Sequence, residues 1–135
     1  MFSWKRPGHL GVREGRLAPC KPTPNCVSSQ ADPEDRRHYI APLAFQGSGE
    51  TAMAALKRAV EAAPGARVLR ADADYLYAEF RSRVMRFVDD VEFALDRQRG
   101  VIHARSAARV GIRDFGVNRA RIEALRSALE ASLRR

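Results

Sequence analysis

Lysine is nearly missing from this 135-residue chain: of 24 basic residues only Lys5, Lys21 and Lys57 are lysines, and the rest are arginines. Cysteine occurs twice, tryptophan once, and aromatic residues make up 7% of the chain. No apolar run reaches the roughly 18 residues a membrane-spanning helix needs, and residues 1–17 lack the apolar stretch of a secretory leader. There is no glycine-rich phosphate loop, no HExxH helix and no GxSxG turn, which removes the best-marked nucleotide, metalloprotease and serine-hydrolase chemistries. What remains has 45% hydrophobic and 30% charged residues, an ordinary globular composition for one domain. A chain of this size buries enough surface to fold without a metal. The cytoplasm is the expected compartment, and no cofactor is expected.

The net charge of +8 keeps anionic partners in view. The charge is not a tail: between Arg81 and Arg121, ten arginines alternate with Asp89, Asp90, Glu92, Asp96 and Asp114. Interleaving of this kind makes paired ladders more readily than an open electrostatic field. The arginines also lack the interleaved aromatic residues on which RNA bases stack, so nucleic acid is not the expected partner.

Cys20 and Cys26 lie in a proline-rich stretch, PCKPTPNC. Such a turn-rich segment is compatible with two reduced thiols or with a local disulfide, and spacing alone does not decide between them. A metal would need two further ligands, and His9 and His38 do not supply a standard spacing. No metal site is expected.

Residues 1–47 hold six of the seven prolines and show little periodicity. They read as a long irregular arm, flexible over residues 1–18, ahead of a single domain over residues 19–135. Tyr39, Ile40, Leu43 and Phe45 suggest that its second half docks on that domain. Met53, Leu56, Val60 and Ala63 recur at helical spacing, with Ser48 as N-cap and Pro64-Gly65 as the stop.

Four strands follow, over residues 67–71, 74–81, 86–96 and 101–109. If Asp96 opposes Val101 across the Arg97–Gly100 loop, then Leu95 faces Ile102, Phe93 faces Ala104 and Val91 faces Ser106. The apolar faces coincide, as a sheet with one buried side requires. On the other face Glu92 then opposes Arg105. A last helix carries the stripe Ile122, Leu125, Leu129 and Leu133, with Asn118 as its N-cap. The expected fold is therefore α+β: helix, four-stranded antiparallel sheet, helix, with both helices on one sheet face.

Residues 19–30 (PCKPTPNCVSSQ), 87–93 (FVDDVEF) and 105–121 (RSAARVGIRDFGVNRAR) together resemble the domain-of-unknown-function family 1499, with similarity from about residue 10 to 129. The resemblance implies a domain found in bacteria and plastids, with no established activity. Some of its members look exported or membrane-attached through additional N-terminal segments. No functional residue of the family is established, so none is carried over.

Several residues break their own pattern. Asp89 shares the apolar face of Val91 and Phe93, where a carboxylate must be paired, hydrogen-bonded or protonated. Arg119 and Arg121 occupy the first turn of the last helix, where the dipole disfavours cations. Arg109 and Arg113 precede it in a loop with Gly111 and Gly116. The expected function is a small binding or accessory module that holds an anion (phosphate, carboxylate or lipid head group) through Arg109, Arg113, Asn118, Arg119 and Arg121. The alternatives are an enzyme using Asp89 as acid or base on an anionic substrate, a nucleic-acid binder, and redox sensing by Cys20 and Cys26. A triad of Cys26, Ser28 or Ser29 with His103 and Asp89 is not expected, because the register puts His103, opposite Ala94, on the other sheet face from Asp89.

Overall fold

The computed structural model describes residues 5–82, 87–111 and 116–134. Its elements run β1 (Cys26–Ser28), β2 (Leu43–Ala44), α1 (Gly49–Ala62), β3 (Ala66–Ala71), β4 (Tyr75–Arg81), β5 (Val88–Asp96), β6 (Val101–Ala108) and α2 (Val117–Leu133). The class is α+β, as the periodicities imply. The sheet has six strands rather than four, in the order β1-β6-β5-β4-β3, with β2 also on β6. The two additional strands come from the segment expected to be irregular. They are three and two residues long, too short for alternation to register as a strand signal. They pair with opposite ends of β6: Val27 opposes Ser106, and Leu43 opposes Ile102.

The β5–β6 hairpin has the register that its apolar pattern demands. Leu95 opposes Ile102, Phe93 opposes Ala104, Val91 opposes Ser106 and Glu92 opposes Arg105. β4 continues the ladder, placing Leu76, Ala78 and Phe80 opposite Phe93, Val91 and Asp89. These side chains form one face. It packs against Met53, Leu56 and Val60 of α1 and against Ile122, Leu125 and Leu129 of α2 in a single buried cluster. Both amphipathic stripes therefore end on the same side of the sheet.

Ser48 caps α1 as expected, its hydroxyl accepting from the Thr51 amide. α2 begins earlier than its sequence suggests. Gly116, in the left-handed region, is the N-cap and offers no side-chain bond. Asn118 is instead fully buried within the first turn. Its polarity is used inward: its Oδ1 accepts from Ser106 Oγ, and its Nδ2 donates to the Asn25 carbonyl at 3.2 Å. A helix cap and a buried bridging amide require the same residue type, which is why the sequence pattern points to the wrong role.

Among the described residues no helix lies on the far face of the sheet. Residues 5–18, the segment expected as a flexible arm, lie over it: Leu10 and Leu17 pack with Tyr75, Tyr77 and Ala94. The Gly11 amide donates to Glu92 at 2.7 Å, and Arg6 donates to Glu79 at 3.0 Å.

Gly65 lies in the turn after α1 with φ of +77°, and a Cβ there would come within 2.4 Å of the Arg81 carbonyl oxygen. Gly116 has a similar φ of +81° with nothing within 4 Å. Gly116→Ala should cost about 1–2 kcal/mol for the left-handed backbone alone. Gly65→Ala should cost clearly more, because backbone must move to admit the methyl group. Urea unfolding of the two variants checks this ordering, and equal midpoints would refute it.

Candidate functional site

Strand alternation sends the charged residues of β4, β5 and β6 to opposite sides of the sheet, and this divides the arginines expected to act together. Arg121, from α2, meets Asp89 on the helix-covered face, with Nη1 2.9 Å from Oδ2. The same guanidinium lies over the Phe80 ring at 4.6 Å and donates to Asn118 Oδ1 at 2.9 Å. Asp89 is only 8% exposed. Its place on an apolar face is thus explained by ion pairing, which leaves the carboxylate little freedom as a proton donor or acceptor.

Arg109 lies on the far face. Its Nε and Nη2 each donate to Asp90 at 2.8 Å, and Nη2 also meets Glu79. Tyr77 donates to Asp90 at 2.5 Å. Its hydrogen bonds to Asp90 are the chief cause that raises the Arg109 guanidinium above its ordinary value, against the opposing effect of burial. Arg119 is turned toward the Arg36 and Arg37 carbonyls at 3.3 and 3.4 Å. Arg113 lies outside the described residues. The structure therefore does not gather Arg109, Asn118, Arg119 and Arg121 around one ligand position.

A different constellation forms on the far face. Arg105, directly opposite Glu92 in the register, is 3% exposed. Among the described residues its guanidinium makes one hydrogen bond: Nη2 donates to the Pro19 carbonyl at 3.3 Å. The nearest carboxylate oxygen, Glu92 Oε1, is 3.9 Å from Nη1, beyond hydrogen-bond reach. The other Glu92 oxygen is taken by Tyr75 at 2.5 Å and by Gly11. Arg105 Nε and Nη1, Glu92 Oε1 and His9 Nε2 are all buried with no hydrogen-bond partner among the described residues. Such a cluster departs from the near-complete pairing of buried polar groups in folded proteins.

Arg105 lines a cavity of about 320 Å³ together with His9, Lys21, Asn25, Asp90 and Arg109. Asp90 is already occupied by Arg109 and Tyr77, so the remaining charge at the wall is cationic. Burial pushes the Arg105 guanidinium below its ordinary value, and the Glu92 and Asp90 charges pull it back. Burial and then the Arg105 charge lower His9, which favours its neutral ring beside the cavity. Burial, followed by the hydrogen bond to Glu92, raises the Tyr75 hydroxyl and keeps it a donor.

Arg105 was visible in the sequence only as the cross-strand partner of Glu92. The signal for more lay in Tyr75, Tyr77 and Glu79 alternating on β4, a half-polar face that a solvent-facing ladder does not need.

Ser29, His103 and Asp96 also come into line, with Ser29 Oγ 3.1 Å from His103 Nδ1 and His103 Nε2 3.5 Å from Asp96. The acid is Asp96, not Asp89. Ser29 is 7% exposed, and its oxygen accepts the Ala104 amide at 2.9 Å. That oxygen is committed to joining β6 to the segment after β1, where a substrate cannot approach it. Cys20 and Cys26 form a disulfide. No cluster of three or more metal-ligating side chains occurs among the described residues.

Glu79 supplies a test of the far-face network. Burial favours its neutral form, but hydrogen bonds and charges from Arg6 and Arg109 outweigh burial and hold it below its ordinary value. Between the lowered folded value and the ordinary one, the unfolded chain binds more protons. The stabilisation is therefore complete above the ordinary carboxyl range and is lost as pH falls through the folded value. Glu79→Gln should cost about 2 kcal/mol at pH 7. The gap to the parent protein should narrow as pH falls below the carboxyl range. Urea denaturation at both pH values measures this, and a gap that widens in acid would contradict the assignment.

No helix among the described residues is long and apolar enough to cross a membrane. No curated protein and no solved structure matches the chain. A family model does, over residues 16–129, a span containing the paired Glu92 and Arg105, the disulfide and both helices up to the last turn of α2. The chain belongs to that family, DUF1499, proteins of unknown function.

Proposed function

We propose that this chain is a small binding or accessory module whose ligand carries an oxyanion, a phosphate or carboxylate, and that the ligand sits in the far-face cavity against Arg105. The observation carrying this reading is the Arg105 side chain, buried at a cavity wall with Nε and Nη1 making no hydrogen bond among the described residues. A desolvated guanidinium with unmet donors is the feature that makes oxyanion binding favourable, and Lys21 adds a second positive charge at the same wall. The helix start first expected to hold the anion has its arginines engaged with Asp89 and with backbone carbonyls. The enzyme reading has less support, since Asp89 is held by Arg121. In the cytoplasm, the compartment expected above, the Cys20–Cys26 bridge faces a reducing thiol pool, so its state belongs to the chemistry of the site.

Thermal unfolding in inorganic phosphate, acetate or anionic vesicles separates the free ions from a lipid head group. A ligand at ten times its Kd should raise Tm by about 4–6 °C for a domain of this size. Lys21→Ala, which removes an exposed side chain, should weaken the effect. Arg119→Ala, at the helix start, should leave it unchanged. Absence of any shift, or loss of the shift in Arg119→Ala alone, would overturn the placement.

A further inference from the structure

One side of the Arg105 cavity is formed by the disulfide loop. Lys21, Thr23, Asn25 and Cys26 all line the cavity, and the two cysteines close that loop on itself. Its two halves are anchored very differently.

The second half is tied independently of the bridge. Cys26 pairs with Ala107 as the first residue of β1. Asn25 Nδ2 donates to the Gly111 carbonyl at 2.6 Å, and the Asn25 carbonyl accepts from Asn118. The Thr23 carbonyl accepts from His38 Nε2 at 2.9 Å. On the other side the nearest anchor is buried Leu17, whose amide donates to Gln30 Oε1 at 2.9 Å. Between Leu17 and Thr23, two ties hold the chain among the described residues: the disulfide at Cys20 and the Arg105 bond to the Pro19 carbonyl. That second tie is the single hydrogen bond of the Arg105 guanidinium. The one covalent link in this stretch therefore holds both Lys21 at the cavity and the carbonyl that Arg105 donates to.

We propose that the Cys20–Cys26 disulfide is a redox latch for the oxyanion cavity: oxidation holds residues 18–22 in place, with Lys21 at the cavity wall and the Pro19 carbonyl on Arg105, and reduction releases them and weakens the ligand. The proposal rests on the cavity being the oxyanion site. The reductant is a dithiol. Cys26 is 2% exposed while Cys20 is only half-buried, so an incoming thiolate attacks Cys20 Sγ. The S–S electron pair leaves with Cys26 Sγ, which takes up a proton. The second thiolate of the reductant then attacks the mixed disulfide and frees Cys20, which is also protonated. The protein gains two electrons and two protons, and the reductant leaves as a cyclic disulfide. A ligand binding the reduced form must re-order the freed residues. The entropy of fixing even one residue is worth about a decade in affinity, so reduction should weaken binding at least tenfold.

The test is calorimetric titration of inorganic phosphate into the full chain in three states: oxidised, reduced with dithiothreitol, and as the double variant Cys20→Ser/Cys26→Ser. Intact mass confirms the thiol state of each. The oxidised chain should bind, and the other two should bind at least tenfold more weakly. Dithiothreitol should not change the double variant. Equal affinity in the oxidised and reduced chains overturns the latch and leaves the cavity assignment intact. No binding by the oxidised chain overturns the cavity assignment, and the latch with it. Amide spectra of the reduced chain provide the folding control. β5 and β6 signals should persist while Lys21 moves. Collapse of the whole spectrum overturns the latch, because the bridge would then hold the fold and not the wall.

Discussion

Glu79, Asp90 and Glu92 are all buried on the sheet face that no helix covers, and the rest of that half of the molecule answers to them. Desolvating a carboxylate is costly unless cations and hydrogen-bond donors replace water. Arg109 meets Asp90 and Glu79, Tyr75 and Tyr77 donate to Glu92 and Asp90, and the covering segment contributes Arg6 and the Gly11 amide. Residues 5–18 thus supply charge and backbone donors as well as apolar cover. Arg105 departs from this scheme: it is buried as deeply as the acids, yet among the described residues it makes one hydrogen bond, to a carbonyl, with Glu92 3.9 Å away.

The two sheet faces solve the same problem by different means. The helix-covered face is apolar except at one end, where Asp89, Ser106, Asn118 and Arg121 close a small polar cluster among themselves. That cluster joins the start of α2 to the β5–β6 hairpin and to the Asn25 carbonyl, and it holds the helix in place where no side-chain cap does. The far face joins buried charges to a small apolar cluster and leaves a cavity. Placing the oxyanion site there accounts for the unmet donors of Arg105, for the cationic wall, and for a disulfide located where the wall has few other ties.

Much of the architecture was legible because periodicity reports burial directly. Leu95, Phe93 and Val91 fix the register against Ile102, Ala104 and Ser106, since a slip of one residue would turn that set toward the wrong side. The same register kept His103 away from Asp89. It did not reveal that Asp96, at the end of β5, is the acid nearest His103. β1 and β2 escaped notice because two or three residues carry no period, and their pairing depends on the fully formed edge of β6. The candidate site was harder to read. The arginines around the start of α2 stand out as a run in the sequence, but alternation sends Arg109 to one side of the sheet while Arg121 packs on the other. Arg105 carries no local signal of its own. Its lack of partners arises only when three strands and a segment more than 80 residues away in sequence meet around it.

The central claim is that Arg105 is a buried cation whose guanidinium awaits an oxyanion, and side-chain NMR of the arginine Nε–H groups tests it most directly. A Nε–H shielded from solvent exchanges slowly with water. The account predicts that the Arg105 signal does so and shifts saturably as inorganic phosphate is added to the oxidised chain, while the Arg119 and Arg121 signals stay in place. An Arg105 signal that phosphate leaves unmoved, with Arg119 or Arg121 shifting instead, would contradict it and return the ligand to the start of the last helix.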